Sequence, residues 1–232
     1  MGCCHTFTRY SIVDATPVIA IDGPSASGKG TVAQTVAAAL GFHYLNSGAL
    51  YRLVAYSALL IGVSWDDEAR LAGLAAGLDV DFRGDDILLQ NKLVTDQIRS
   101  EDMAAGASRV ASLPAVRTAL LDRQRRFCQP PGLVAEGRDM GSVVFPEAAL
   151  KIFLTASAEE RAARRYKQLK QKGIAATLPI LLQDLRERDA RDAARSVAPL
   201  KQCPDARQLD TTAMSAKEAA ECILAWYRGA DR

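Results

Sequence analysis

A lysine framed by glycines is the most chemically pointed feature of this sequence. The run Gly23-Pro24-Ser25-Ala26-Ser27-Gly28-Lys29-Gly30-Thr31 sets two glycines five positions apart, with lysine directly after the second. Glycine lets the backbone curl until successive N–H groups face a single anion. A helix that opens at the lysine adds the partial positive charge of its first turn. The Lys29 ammonium is a mobile point charge suited to the β- and γ-phosphates of a nucleoside triphosphate, and the Thr31 hydroxyl is an oxygen donor for Mg2+. In the general phosphate-loop pattern Ser or Thr follows the lysine directly, whereas here Gly30 intervenes.

Such a loop places the phosphoryl donor and leaves the acceptor open. Two further clusters, Asn46-Ser47-Gly48-Ala49-Leu50-Tyr51-Arg52 and Glu136-Gly137-Arg138-Asp139-Met140-Gly141, each follow a candidate strand. Ligands of open α/β sheets gather beyond the carboxyl ends of strands, so both clusters should face the loop. Leu181, Leu185, Arg188, Asp192 and Arg195 recur at helical spacing and share one face, apolar at first and then charged. Charges that continue an inward stripe need partners, either an anionic nucleotide or an internal network of ion pairs. Arginine suits the first, because its planar fork matches phosphate. Residues 161–195 carry ten basic and four acidic side chains, with Arg161, Arg164 and Arg165 on one helix face. A lid closing over polyphosphate is expected there, and a solvated basic helix is the plainer alternative.

The elements that must hold these clusters are legible in outline. Val18–Asp22 is a short apolar run ending at the glycine loop, as a buried parallel strand does. Lys29–Leu40 reads as a helix stopped by Gly41, Phe42–Leu45 as a second strand, and Ala49–Leu60 as a helix. Val116–Phe127 is helical as far as Pro130-Pro131. Leu133–Ala135, Leu150–Leu154 and Gln208–Asp210 are strand candidates; Glu159–Lys172 and Leu178–Arg195 are helical. Ser215-Ala216-Lys217-Glu218 is a capping box that opens a C-terminal helix. Strands alternating with helices around a phosphate loop predict an α/β fold: a parallel sheet of the P-loop NTPase type with helices on both faces. Residues 62–108 break the pattern, with ten acidic side chains against four basic. Leu78–Phe82 and Ile87–Val94 look like strands around a Gly84-Asp85-Asp86 turn, so an inserted subdomain with a small antiparallel sheet is expected. A solvated acidic face fits this stretch equally well.

Composition narrows the function class. The 232 residues are 49% hydrophobic and 24% charged with a net charge of +2, which suits a globular protein and argues against a generally basic nucleic-acid binder. No apolar run reaches the roughly 18–20 residues that a bilayer span needs. The five cysteines form no C-x-x-C pair and read as reduced thiols. Only His5 and His43 are present, and His5 falls in an expected flexible leader, so a histidine-based triad or zinc site has little material. Met1-Gly2-Cys3-Cys4-His5-Thr6 fits the loose myristoylation pattern, which a short leader also matches by accident.

Ile21-Asp22-Gly23-Pro24-Ser25, Gly28-Lys29-Gly30-Thr31, Ser47-Gly48, Tyr51-Arg52, Gly137-Arg138-Asp139-Met140-Gly141, Glu187-Arg188-Asp189 and Ala198-Pro199-Leu200 occur in this order. Together they resemble the bacterial cytidylate kinases, a branch of the P-loop nucleoside monophosphate kinases, from about Pro17 to Arg228. The resemblance implies transfer of the ATP γ-phosphoryl group to CMP or dCMP with Mg2+, with UMP a poorer acceptor. It implies ATP binding by residues 23–31 with Arg161 and Arg165, and catalytic roles for Lys29, Arg138, Arg188 and Arg195. By similarity Ser47, Arg117, Asp139 and Arg195 would contact the cytosine region. Ser108, Arg188 and Asp192 would sit near the sugar, and Tyr51, Arg52 and Arg138 would hold the acceptor phosphate. Asn46 stands where many relatives carry Asp. The implied organisation is a leader at 1–16 and a kinase domain at 17–232. Within that domain lie a core (17–61 and 109–232), a monophosphate-binding insertion (62–108) and a lid (157–195). A cytoplasmic monomer with neither nucleic acid nor membrane as partner is expected.

The chemistry needs no general base. A phosphate monoester has a second pKa near ~6, so the acceptor oxygen is already a nucleophile at neutral pH. The obstacle is repulsion between two anions: unit charges ~4 Å apart at an effective dielectric of ~20 repel by about 4 kcal/mol. Another small-molecule P-loop kinase, such as an adenylate or shikimate kinase, stays open on the motifs alone. So does a regulatory module that binds ATP or RNA without transferring phosphate.

Overall fold

The computed structural model describes residues 16–84, 86–195 and 197–229. The expectations resting on Gly2, Cys3, Cys4 and His5, and on nearly all of the leader, lie outside the described residues. β1 (Val18–Asp22) is buried along its whole length. Its side chains alternate between two cores, Val18 and Ala20 facing one and Ile19 and Ile21 the other, as strand geometry requires. That two-sided burial is why the run is continuously apolar until Asp22.

β1 lies at the centre of a five-stranded sheet, paired with β6 (Leu133–Gly137) and β7 (Leu150–Thr155). β2 (His43–Asn46) flanks β6 and β8 (Arg207–Asp210) flanks β7; every pairing is parallel. Helices cover both faces. α1 (Lys29–Leu40) and α9 (Ala216–Arg228) pack on one side, with the expected Ser215–Glu218 capping box present. α2 (Ser47–Leu60) and α6 (Pro114–Arg125) pack on the other. The register sets Asp22 opposite Gly137 and Asn46 opposite Glu136. The segments leaving β1, β2 and β6 therefore emerge at one edge, the crevice where the chain reverses its direction of winding.

Residues 62–108 hold the expected antiparallel sheet and more. β3 (Val80–Arg83) pairs with β4 (Asp86–Leu89), and β4 with β5 (Lys92–Leu93). The single strand expected over Ile87–Val94 is broken at Gln90 and Asn91, whose φ angles of 50° and 62° turn the chain back on itself. Around the sheet lie α3 (Glu68–Ala76), the short α4 (Thr95–Ile98) and α5 (Glu101–Val110), none of them anticipated from sequence. The signal was present for α5: Ser100 caps its first turn, and Met103, Ala107 and Val110 bury one face.

α7 (Ala158–Gln171) and α8 (Leu178–Ala193) pair through a small core of their own, Ala162, Leu169, Leu181 and Leu185. α8 ends at Ala193, short of the helix expected to run through Arg195. No helix among the described residues is long and apolar enough to cross a membrane. The described cysteines, Cys128, Cys203 and Cys222, are free thiols.

Candidate active site

The loop between β1 and α1 is shaped by close approach. A Cβ on Gly23 would stand 2.0 Å from the Leu154 carbonyl oxygen, so only glycine lets the chain turn away from β7 here. Gly28 caps α1 with a φ of 93°, which favours glycine for the same lack of a side chain. Two arginines of α7 brace the loop from behind. Arg161, 5% exposed, donates to the Ser25 carbonyl at 3.2 Å and pairs with Asp189 at 2.7 Å. Arg164 donates to the Ser27 carbonyl at 3.0 Å and to the Thr211 carbonyl at 2.5 Å.

A cavity of about 300 Å³ opens beside the loop. Ser25, Ala26 and Lys29 line it, with Ser47, Tyr51, Arg52, Ser108, Arg117, Arg138, Asp139, Arg165, Arg188, Asp192 and Arg195. Every residue that the resemblance assigns to the acceptor nucleotide is thus gathered here, from α2, α5, α6, the end of β6 and α8. Gly23, Pro24, Ser27, Gly28 and Gly30 stand outside the lining, as does Arg161. Thr31 is exposed and also outside it, because Gly30 takes the position after the lysine and the next helical residue turns to solvent.

Within the cavity the cations are held at short range. Arg138 links loop to helix: its Nη2 donates to Ser25 Oγ at 2.7 Å and its Nε to Asp192 Oδ2 at 2.8 Å. Arg195, although beyond α8, still pairs with Asp192, which is 1% exposed. Burial alone would raise the Asp192 carboxyl, but Arg138, Arg195 and Arg188 hold it below the usual range. Arg117 pairs with buried Asp139, donates to the Ala111 carbonyl at 3.1 Å and lies 5.8 Å from the centre of the Tyr51 ring. Arg52 donates to the Ile98 carbonyl at 2.7 Å.

Arg188 differs from the rest, since its Nε is fully buried and bonds to nothing. Burial, with Arg138 and other cations close by, depresses its pKa to about 9. Burial and the neighbouring Arg165 likewise bring Arg52 down to about 10. Ser108 Oγ is also buried without a partner. Lys29 Nζ donates to the Pro24 carbonyl at 3.0 Å and stands 3.8 Å from Glu136 Oε2. Burial, with Arg138 nearby, lowers its pKa to about 7 in spite of Glu136. Unpaired cations and an orphaned hydroxyl around one cavity describe a site short of an anion.

Some lining residues carried no assigned role in the sequence. Glu136 is the chief of these: buried at the end of β6, it accepts from Tyr44 Oη at 3.4 Å and faces Lys29. Its place directly before the Gly137-Arg138 segment is visible in the sequence, but its partners, Tyr44 of β2 and Lys29 of α1, come from distant elements. Asp22, outside the lining, also carried no assigned role and orients the site from behind. Its two oxygens accept from the Met140 and Gly141 N–H groups, both at 2.8 Å, and so hold the turn that follows Arg138 and Asp139. Asn46 accepts from the Ala49 N–H at 3.1 Å and caps α2, a task Asn performs as well as Asp.

A glycine loop joining the central strand of a parallel sheet to a helix, with a buried lysine and converging arginines, defines a P-loop phosphotransferase. The chain belongs to the cytidylate kinase family, whose pattern matches residues 19–228. The cytidylate kinase of Chromobacterium violaceum is 60% identical over 211 residues, which cover 91% of this chain and 95% of that protein. That of Burkholderia pseudomallei is 57% identical over 213 residues, covering 92% and 93%. That of Pseudomonas aeruginosa is 57% identical over 216 residues, covering 90% and 94%.

Proposed function

We propose that this protein transfers the γ-phosphoryl group of ATP to CMP and dCMP, forming CDP and dCDP, with UMP a poorer acceptor. The observation that carries this reading is Arg188, whose buried Nε has no partner in a cavity that also holds Lys29, Arg52, Arg138 and Arg195. A bound monophosphate supplies the missing acceptor atoms.

The loop residues 23–31 cradle the ATP phosphates through their N–H groups, with Arg161 keeping the loop in shape and Arg165 facing the cavity. Lys29, Arg138, Arg188 and Arg195 draw donor and acceptor phosphates together and neutralise charge on the transferring group. Tyr51 and Arg52 hold the acceptor phosphate, and Ser108 and Asp192 the sugar side. Ser47, Arg117 and Asp139 meet the base. Cytosine offers an amino donor beside two acceptors, so Asp139 accepts and Arg117 donates; uracil would turn a carbonyl toward the carboxylate.

Mg2+ fits the donor set in one way. It prefers hard oxygens and keeps to one or two carboxylates plus substrate phosphates. Among the described residues no cluster of three or more metal-binding side chains exists, while the Glu136 carboxylate stands beside Lys29 at the loop. Glu136 would hold a cation that arrives on ATP and screens the polyphosphate charge, whereas the Thr31 hydroxyl expected as a donor is exposed and outside the cavity lining.

The domain reading is a core at 17–61 and 109–232, an acceptor-binding insertion at 62–108 and a lid at 157–195. The ion pair of Arg165 on α7 with Glu101 on α5 joins the proposed lid to the proposed insertion across the cavity. The free thiols of Cys128, Cys203 and Cys222 suit a reducing cytoplasm, and a monomer is the assembly proposed. The deciding experiment is an ADP-release assay with ATP, Mg2+ and CMP, dCMP, UMP or AMP. Turnover should be fastest with CMP and dCMP, and Lys29→Ala or Arg188→Ala should lower it by roughly a hundredfold or more. Preference for AMP, or no ADP with any acceptor, would overturn the assignment.

A further inference from the structure

A second cleft, of about 560 Å³, opens on the other side of β2, and Asn46 is the one described residue it shares with the active-site lining. The core side of this cleft is formed by β2 and the end of α6, and the insertion side by the β3–β4 hairpin and Arg99. Its charge is one-sided: Arg99, Arg123 and Arg126 line it, and no carboxylate does among the described residues.

Arg123 and Arg126 lie three residues apart, on one face at the C-terminal end of α6. Neither guanidinium has an ion-pair partner among the described residues, in contrast to Arg117, Arg138 and Arg195 of the active site. Phe82 and Phe127 meet edge to face in the same cleft, with ring centres 5.6 Å apart, and Tyr44 adds a third ring. The volume falls in the range of small-ligand pockets, roughly 300–1,000 Å³. Unpaired arginine forks match phosphate oxygens, and aromatic faces accept a base.

We propose that this cleft is a second anion site, which takes a polyphosphate chain, free or carried by a nucleoside, on Arg123 and Arg126. It is distinct from the catalytic cavity and goes beyond the assigned activity. The plainer role for these arginines is to complement the negative end of α6, which needs no ligand.

The test uses the full chain with its catalytic cavity filled by the bisubstrate compound P1-(5′-cytidyl)-P5-(5′-adenosyl) pentaphosphate. The heat of that first addition reports on the proposed kinase activity and is scored separately. CTP and inorganic tripolyphosphate are then titrated calorimetrically in separate arms. Saturable binding of about one equivalent is expected. Tighter binding of CTP assigns the site to nucleotides, and equal binding assigns it to the phosphate chain alone. Arg123→Glu together with Arg126→Glu should weaken this binding by roughly tenfold or more, since charged hydrogen bonds are lost. Arg123→Gln with Arg126→Gln should weaken it less, and both doubles should keep wild-type kcat, KM and melting temperature. The proposal is overturned if the filled protein binds neither probe at millimolar concentration, or if the doubles bind as well as wild type. Loss of binding only alongside a collapse in melting temperature would also overturn it, in favour of the helix-end role.

Discussion

Arg138 and Asp192 meet at 2.8 Å between the end of β6 and α8, and the same guanidinium bonds Ser25 of the phosphate loop. One carboxylate, 1% exposed, thereby holds Arg138 and Arg195 in place and offsets Arg188. Removing one partner of a buried pair costs about 3–5 kcal/mol, because the remaining charge is left uncompensated. Asp192→Ala should therefore lower both the melting temperature and kcat/KM for CMP. Asp192→Asn, which keeps a hydrogen-bond acceptor, should recover part of the stability but less of the rate. Thermal unfolding beside steady-state kinetics checks this, and wild-type values for Asp192→Ala would contradict it.

Lys29 titrates near 7 in the free protein, because burial disfavours its charged form. The unfolded chain keeps the ordinary lysine value of 10.5, so the ammonium works against folding below about pH 7 and the cost is relieved as pH rises toward 10.5. Polyphosphate needs the charged form. ATP binding should take up a proton at pH 8, and affinity should fall as pH rises above 7, by roughly tenfold per unit. Calorimetry in buffers of different ionisation enthalpy measures the uptake, and Lys29→Ala should abolish it. No uptake at pH 8 would refute the role.

Asp139 pairs with Arg117, both of them buried. Asp139→Asn presents an amide that can donate as well as accept, so the bias against a uracil carbonyl should weaken. The ratio of kcat/KM for CMP to that for UMP should shrink by roughly tenfold, about the worth of one charge-assisted hydrogen bond. An unchanged ratio would remove Asp139 from base selection.

Asp22 acts at one remove, through two backbone hydrogen bonds of 2.8 Å to Met140 and Gly141. Burial lifts its carboxyl to about 6, so it is still charged at neutral pH. Asp22→Asn turns an amide donor toward a backbone N–H and should displace Arg138 and Asp139. A displacement of ~1 Å near reacting groups can cost on the order of a hundredfold in rate. The expected signature is a large fall in kcat for CMP while ATP binding, measured directly, stays close to wild type. Loss of both together would mean a general structural role.

Much of this protein was determined by its sequence alone. The glycine loop, the buried strand before it and the helix after it are local facts, because backbone curvature, strand burial and helix opening depend on neighbours in the chain. The order of motifs from Ile21 to Leu200 likewise points to the family, and the residues that likeness assigns to the acceptor line one cavity. What the sequence left open was non-local. The three helices of the insertion are short, carry their acidic residues in the first turn and bury only a few apolar side chains each, so their periodicity is faint in the sequence. Arg195 lies two residues beyond the end of the helix, and it still reaches Asp192 because the two are three residues apart at the helix end. Whether the charges at 188–195 would satisfy one another or await a ligand was a question of distance between β6, the loop and α8. Tertiary structure answered it unevenly: Asp192 is taken by Arg138 and Arg195, and the Arg188 Nε is left buried without a partner. A spacing along one helix states which side chains share a face, but only the packing of that face against other elements decides how many partners it finds.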